Sequence, residues 1–112
     1  DFSMHSGDNR SLSVTITDQS QAVLDVSGAA ITWALSRAVT DKVEPKGVAI
    51  VSKTVGSGIT ITDGSNGLVE VTIAEADTAS LAGTYYHEMQ MVLSGNTSTI
   101  MYGTVIIKKD LI

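Results

Sequence analysis

The chain is 112 residues long, carries a net charge of −5 and contains no cysteine. That length suits one domain with a core of its own, and the missing thiols exclude disulfides and thiolate-held metal. Twelve acidic residues outweigh seven basic ones, and Lys108-Lys109 is the one adjacent basic pair, which argues against nucleic acid or an anionic membrane surface as partner, since both demand a concentrated basic face. No apolar run approaches the roughly 20 residues of a membrane-spanning helix. Asp1-Phe2-Ser3-Met4-His5 has neither the positive start nor the apolar stretch of a signal peptide.

In chain order, residues 1–9 read as an N-terminal arm, because Gly7-Asp8-Asn9 is turn chemistry and regular alternation begins only after it. Residues 10–112 read as a single β-sandwich domain. Leu12-Ser13-Val14-Thr15-Ile16 alternates apolar and polar residues and opens the first strand, which runs to about Thr17. Successive strand side chains point to opposite faces, so such a stretch has one face to bury. Asp18-Gln19-Ser20-Gln21 turns the chain, Ala22-Val23-Leu24 pairs briefly, and Ser27-Gly28 precedes the strand Ile31-Thr32-Trp33-Ala34-Leu35. Residues 39–46 hold the single proline, Pro45, among Asp41, Lys42, Glu44 and Lys46, and read as an exposed loop. Val48-Ala49-Ile50-Val51 starts a fourth strand, and Gly56-Ser57-Gly58 separates it from Ile59-Thr60-Ile61. Asp63-Gly64-Ser65-Asn66-Gly67 tolerates positive φ and predicts a hairpin connection into Val69-Glu70-Val71-Thr72-Ile73. Ala74 to Ala82 is rich in helix formers and stopped by Gly83, which predicts one short helical crossing between two sheets. Tyr85–Met91 and Met101–Ile107 are the closing strands, joined through Ser94-Gly95-Asn96.

Parity assigns the core. Leu12, Val14, Ile16, Ile31, Trp33, Leu35, Ile59, Ile61, Val69, Val71, Ile73, Tyr85, Met89, Met91, Met101, Val105 and Ile107 face inward. Thr32, Ser36, Thr60, Thr62, Glu70, Thr72, Glu88 and Gln90 then face water, a role that suits β-branched threonine. Gly83-Thr84-Tyr85, between the crossing and a long strand, resembles the tyrosine corner of immunoglobulin-like sandwiches, where a Tyr hydroxyl bonds nearby backbone. The expected fold class is all-β, an immunoglobulin-like antiparallel sandwich of about seven strands.

No catalytic constellation stands out. His5 and His87 are far apart, and no Gly-x-Ser-x-Gly turn occurs to present a nucleophile. His87 shares the parity of Tyr85 and Met89, which places it at the rim of the core in a structural role. Two distant histidines without cysteine make a poor zinc site. The Asp63–Gly67 stretch starts like a calcium loop but lacks the closing glutamate. Glu75 and Asp77 lie two apart on the short helix, hence on different faces. Tyr86 and Tyr102 are the exposed aromatics, too few for a sugar-stacking platform. The reading is of a chain with no catalytic residue, no cofactor and no metal.

Several short phrases recur in a fixed order. Gly7-Asp8 precedes a strand ending Ile16-Thr17-Asp18. Leu24-Asp25-Val26-Ser27-Gly28-Ala29-Ala30-Ile31-Thr32-Trp33 follows. Gly58-Ile59-Thr60-Ile61-Thr62-Asp63, Gly67-Leu68-Val69-Glu70-Val71 and Leu81-Ala82-Gly83-Thr84-Tyr85-Tyr86-His87-Glu88 complete the set. In this order the chain resembles small bacteriophage and prophage virion proteins related to the N-terminal domain of baseplate upper proteins. The resemblance covers nearly everything after the arm. It implies an immunoglobulin-like module with no catalytic residues, serving in tail or baseplate attachment. The family's proteins continue into a receptor-binding device where this chain stops, which raises capsid decoration to equal standing.

The expected function is therefore a non-enzymatic structural component of a tailed bacteriophage virion, made in the host cytoplasm. Its expected partners are other virion proteins and further copies of itself. The rival class is a carbohydrate-binding or adhesive module of a bacterial surface protein, because sandwich folds host both roles. Apolar residues near both ends, Phe2 and Met4 in the arm and Leu111-Ile112 at the other, are the candidate partner contacts, since an unpartnered terminus is normally polar. Sheet-edge strand addition would satisfy backbone groups there. For the core, Trp33→Ala is expected to cost about 3–5 kcal/mol, read by urea unfolding. An unchanged midpoint would mean that the inward parity of that strand is wrong.

Overall fold

The computed structural model describes residues 2–18, 20–37 and 49–109. The expected proline loop at 39–46 and the apolar pair Leu111-Ile112 lie outside the described residues. The fold is all-β. Its strands are β1 (Phe2–His5), β2 (Arg10–Thr15), β3 (Ala30–Arg37), β4 (Ala49–Val55), β5 (Gly58–Asp63), β6 (Leu68–Ile73), β7 (Gly83–Leu93) and β8 (Asn96–Lys108), with one short helix, α1 (Glu75–Thr78), before β7.

The strands form one hydrogen-bonded sheet in the order β1-β8-β7-β3-β4-β5-β6-β2. Most neighbours are antiparallel. The exceptions are β1 on β8 and the short pairing of β4 with β5. Because β1 and β2 are consecutive in the chain yet end the sheet on opposite sides, the sheet must curl almost into a barrel. Arg10 Nη1 donates to the Ser3 carbonyl at 3.2 Å across that gap.

The curl is set at a corner between β4 and β5. Thr54 pairs with Gly58 and Val55 with Ile59, although only Gly56-Ser57 separates the two strands. Gly56 and Gly58 take φ values of 87° and 102°, which turn the chain back beside itself. Reciprocal bonds between Thr54 and Ser57, Thr54 N to Ser57 O at 3.2 Å and Ser57 N to Thr54 O at 2.8 Å, lock the corner. The hairpins are more ordinary. β7 and β8 are joined by Ser94-Gly95, both with positive φ, as two-residue hairpin turns require. A 3-10 turn, Gly64–Asn66, joins β5 to β6.

The buried set follows the expected parity. Ile16, Ile31, Trp33, Leu35, Ile59, Val69, Val71, Ile73, Tyr85, Met89, Met91, Val105 and Ile107 are buried, joined by Met4, Val26, Ala29 and Val51. Thr32, Thr60, Thr62 and Thr72 are exposed. Leu12 and Val14 are only half-buried, because β2 ends the sheet and, among the described residues, no strand lies beyond it. Met101 is half-buried for the same reason, lying where β8 has lost the cover of β1.

Four expectations need correction. The arm is not separate: Phe2–His5 forms β1 and pairs in register with Val105–Lys108. Eight strands are described rather than about seven. The first long strand ends at Thr15, not Thr17, although Ile16 is buried and Thr17 still bridges to Val23. The predicted short helix is present as α1, but it spans only Glu75–Thr78 and joins strands of one sheet instead of crossing between two, and its N-terminus is capped from afar. Ala74 has no side-chain acceptor to offer. Asn9 Oδ1 accepts from the Glu75 N–H at 2.9 Å, and Asp77 Oδ2 accepts from the Ala74 N–H at 2.7 Å.

Gly67 holds the β5–β6 connection against the loop before β3. Its φ is 71°, and a Cβ there would meet the carbonyl oxygens of Ile16 at 2.5 Å and of Leu24 at 2.9 Å. Both are backbone atoms, and Ile16 is tied on both sides: Ile16 N donates to Gly67 O and Leu24 N to Ile16 O. Gly67→Ala is therefore expected to destabilise the fold by at least about 1–3 kcal/mol. Urea unfolding checks this, with Gly95→Ala, also at positive φ but in open space, as the milder comparison.

Candidate functional site

The chemistry-bearing residues fall into separate groups. At the centre, Trp33 on β3 is fully buried and directly faces Met89 on β7. Its indole N–H needs an acceptor, since a buried unpaired donor costs about 1–3 kcal/mol. His87, two residues along β7 on the same face, supplies it: Trp33 Nε1 donates to His87 Nδ1 at 3.1 Å. Accepting at Nδ1 fixes the neutral imidazole with its proton on Nε2. His87 is itself buried, not at the rim, and burial pushes its pKa below the ordinary histidine value. His87 is thus bonded to the core tryptophan, a partner that was not legible in the sequence.

At one end of the sheet, His5, Asp8, Arg10 and Lys108 line an open cleft of about 260 Å³ where β1 and β2 approach. Asn9 in this cleft is already committed to capping α1. On the other side of the same gap, a larger cleft of about 450 Å³ runs between residues 15–18 and Leu24 on one wall and Met91 with residues 98–100 on the other.

The outer face of β7 carries a row of polar groups. Tyr86 hydroxyl donates to Glu88 Oε1 at 3.1 Å, and Gln90 Nε2 donates to Glu88 Oε2 at 3.1 Å. Burial, then the Glu88 acceptor, raises the Tyr86 pKa. Tyr102, opposite Glu88 on β8, is 70% exposed. Tyr86, expected to be exposed like Tyr102, is instead half-buried.

Of the acidic candidates, Asp63 and Asp77 have internal partners, while Glu75 is exposed. Asp63 accepts from Ser65 Oγ at 3.1 Å and Asn66 Nδ2 at 2.8 Å, and these bonds lower its pKa. The loop is a side-chain-braced turn. Asp77 pairs with Lys53 at 2.8 Å. Among the described residues no cluster of three potential ligands is placed to hold a metal ion.

The candidate contact residues separate. Met4 is buried at 6% exposure and belongs to the core, so it packs on its own domain rather than awaiting a partner. Phe2 takes its place in β1 opposite Val105. Leu111 and Ile112 lie outside the described residues. The pairing of β1 in parallel with β8 was missed because Phe2-Ser3-Met4-His5 is too short to display a period. No protein-family model and no curated protein sequence matches this chain.

The burial of His87, which lowers its pKa, generates a pH dependence. A depressed folded pKa means that the unfolded chain binds the extra proton first. The stabilisation is complete above the unfolded value of about 6.5 and is lost as pH falls towards the folded value. Stability measured by urea unfolding is expected to decline below about pH 6.5 in the native protein. The histidine share of that decline should vanish in His87→Leu, which is less stable at neutral pH because the Trp33 donor is orphaned.

Proposed function

We propose that this chain is a non-enzymatic structural component of a tailed bacteriophage virion, acting in tail or baseplate attachment or in capsid decoration, and built on an immunoglobulin-like sandwich. One observation carries the reading. The ordered phrases that resemble phage virion modules fall on the parts of the molecule that hold its frame. Gly58–Asp63 is β5. Gly67–Val71 begins at the left-handed glycine wedged against Ile16 and Leu24. Leu81–Glu88 contains a tyrosine corner: Tyr85 hydroxyl donates to the Ala82 carbonyl at 3.1 Å and accepts from the Ala82 N–H at 3.2 Å. Leu24–Trp33 leads into the central strand with Val26, Ala29, Ile31 and Trp33 all buried.

The immunoglobulin-like reading is supported by the same corner at the start of β7, by the buried tryptophan on β3, and by the strand order. The β4–β5 corner would divide the sheet into a five-stranded layer, β1-β8-β7-β3-β4, and a three-stranded layer, β5-β6-β2. Such a module works through its surface, with other virion proteins and further copies of itself as partners, and its place is the virion rather than the host cytoplasm where it is made.

The test is location. Purified phage particles from a host lysate, probed with antibody against the recombinant chain, are expected to carry label at a fixed site on tail or capsid. Particles free of the chain, with all antigen left in the soluble lysate, would defeat the proposal.

A further inference from the structure

The outer face around β7 carries one charge near its middle. Thr84, Tyr86, Glu88, Gln90 and Val92 point outward on β7, alternating with the buried Tyr85, His87, Met89 and Met91. Tyr102, Thr104 and Ile106 stand opposite this row on β8, and Thr32, Ala34 and Ser36 on β3. Among these residues only Glu88 is ionised at neutral pH. The next charge at an outward position on β8 is Lys108, six residues beyond Tyr102, about 20 Å away.

Glu88 is half-buried, and its described partners are both neutral: the Tyr86 hydroxyl donates to Oε1 and the Gln90 amide to Oε2. These donors fix the plane of the carboxylate without cancelling its charge. A carboxylate offers about four acceptor sites over its two oxygens, so each oxygen keeps capacity for another donor. A partly buried anion held by neutral donors is further stabilised by a cation on its open side. That side has a defined shape. Directly across from Glu88 lie Tyr102 on β8 and Ala34 on β3, with Ser52 of β4 beyond Ala34. Tyr102 projects an open ring, whereas Ala34 and Ser52 are short. The carboxylate thus lies in a shallow notch with an aromatic wall on one side and low ground on the other.

We propose that this notch is the docking site for an arginine side chain of a partner protein. A guanidinium is planar and permanently charged, stacks on an aromatic ring and gives parallel donors to a carboxylate. Tyr102 and Glu88 supply the two halves of that recognition side by side. Lysine would use the charge but not the fork, and a sugar chain needs more than one open ring. The net charge of −5 draws a basic partner towards the surface. The scale of the face selects a protein over a free small molecule. Ile106, paired with Thr84, and Val92 are both exposed. Each lies four residues along the strands from the row of Glu88 and Tyr102, about 14 Å away. A central charged anchor with apolar contacts at both ends suits a protein surface, where arginine and tyrosine are the usual anchors. The inference is independent of the virion reading, because the chemistry of this face is the same wherever the chain resides.

Backbone and side-chain chemical shifts of the full chain, titrated with peptides, test it. The probe is a capped nonapeptide with arginine at its centre, leucine at each end and glycine and serine between. It is expected to shift Tyr86, Glu88, Gln90 and Tyr102 saturably, with a dissociation constant of about 1 mM. The same peptide with citrulline, which keeps the shape and loses the charge, should bind at least about tenfold more weakly, and the lysine version at least about threefold more weakly. Glu88→Gln should reduce the arginine peptide to the citrulline level. Tyr102→Ala, at an exposed position, should keep the melting temperature of the native chain and weaken the peptide about tenfold. Glu70→Gln, on the outer face of β6, should leave binding unchanged. Equal affinity for acetyl-arginine amide and for the peptide would make the ligand a free guanidinium compound and overturn the protein partner. Equal binding of the arginine and citrulline peptides, no saturation by about 50 mM, or tighter binding of maltose at the same residues overturns the proposal outright.

Discussion

The indole N–H of Trp33 must be satisfied in a place that water does not reach. The central strand β3 carries it between β4 and β7, and His87 on β7 accepts from it at 3.1 Å. His87 therefore has to be on β7, in register, and uncharged. That requirement ties the pairing of β3 with β7 to the protonation state of one ring. A slip of one residue in either strand would turn the histidine or the tryptophan to the outer face and orphan the other. The side chains around the pair are mostly aliphatic or thioether, so this polar contact supplies orientation in an interior that could tolerate several packings.

Much of this was legible in the sequence. Period-two alternation located the central strands, and parity put Trp33, Tyr85, Met89 and Val105 inside. The turns were legible at Asp63–Gly67 and Ser94-Gly95-Asn96, because positive φ selects from a short menu of residue types, although only Gly67 of the first takes it and Asn96 already belongs to β8. What failed to show was non-local. A four-residue strand such as Phe2–His5 has no period to detect, and its partner lies about a hundred positions away. The two-residue corner between β4 and β5 reads in sequence as an ordinary glycine break. His87 looked like a rim residue because alternation gives the face of a side chain but not its depth.

The candidate contact residues illustrate the same limit. An apolar residue outside any recognised strand can either meet a partner or complete its own core, and composition does not distinguish the two. Met4 completes the core.

The parallel run of β1 along β8 also decides how the molecule meets a mechanical load. Tension applied between Phe2 and Lys109 acts in opposite directions along two strands lying side by side. The bonds from Phe2–His5 to Val105–Lys108, together with the Ser6 N–H to Lys108 carbonyl bond at 2.8 Å, are then sheared as a group rather than peeled open one after another. Resistance of that kind belongs to the short ladder and not to the depth of the core. The four residues that looked least structured in the sequence are thus the clasp through which a pull between the two ends would pass.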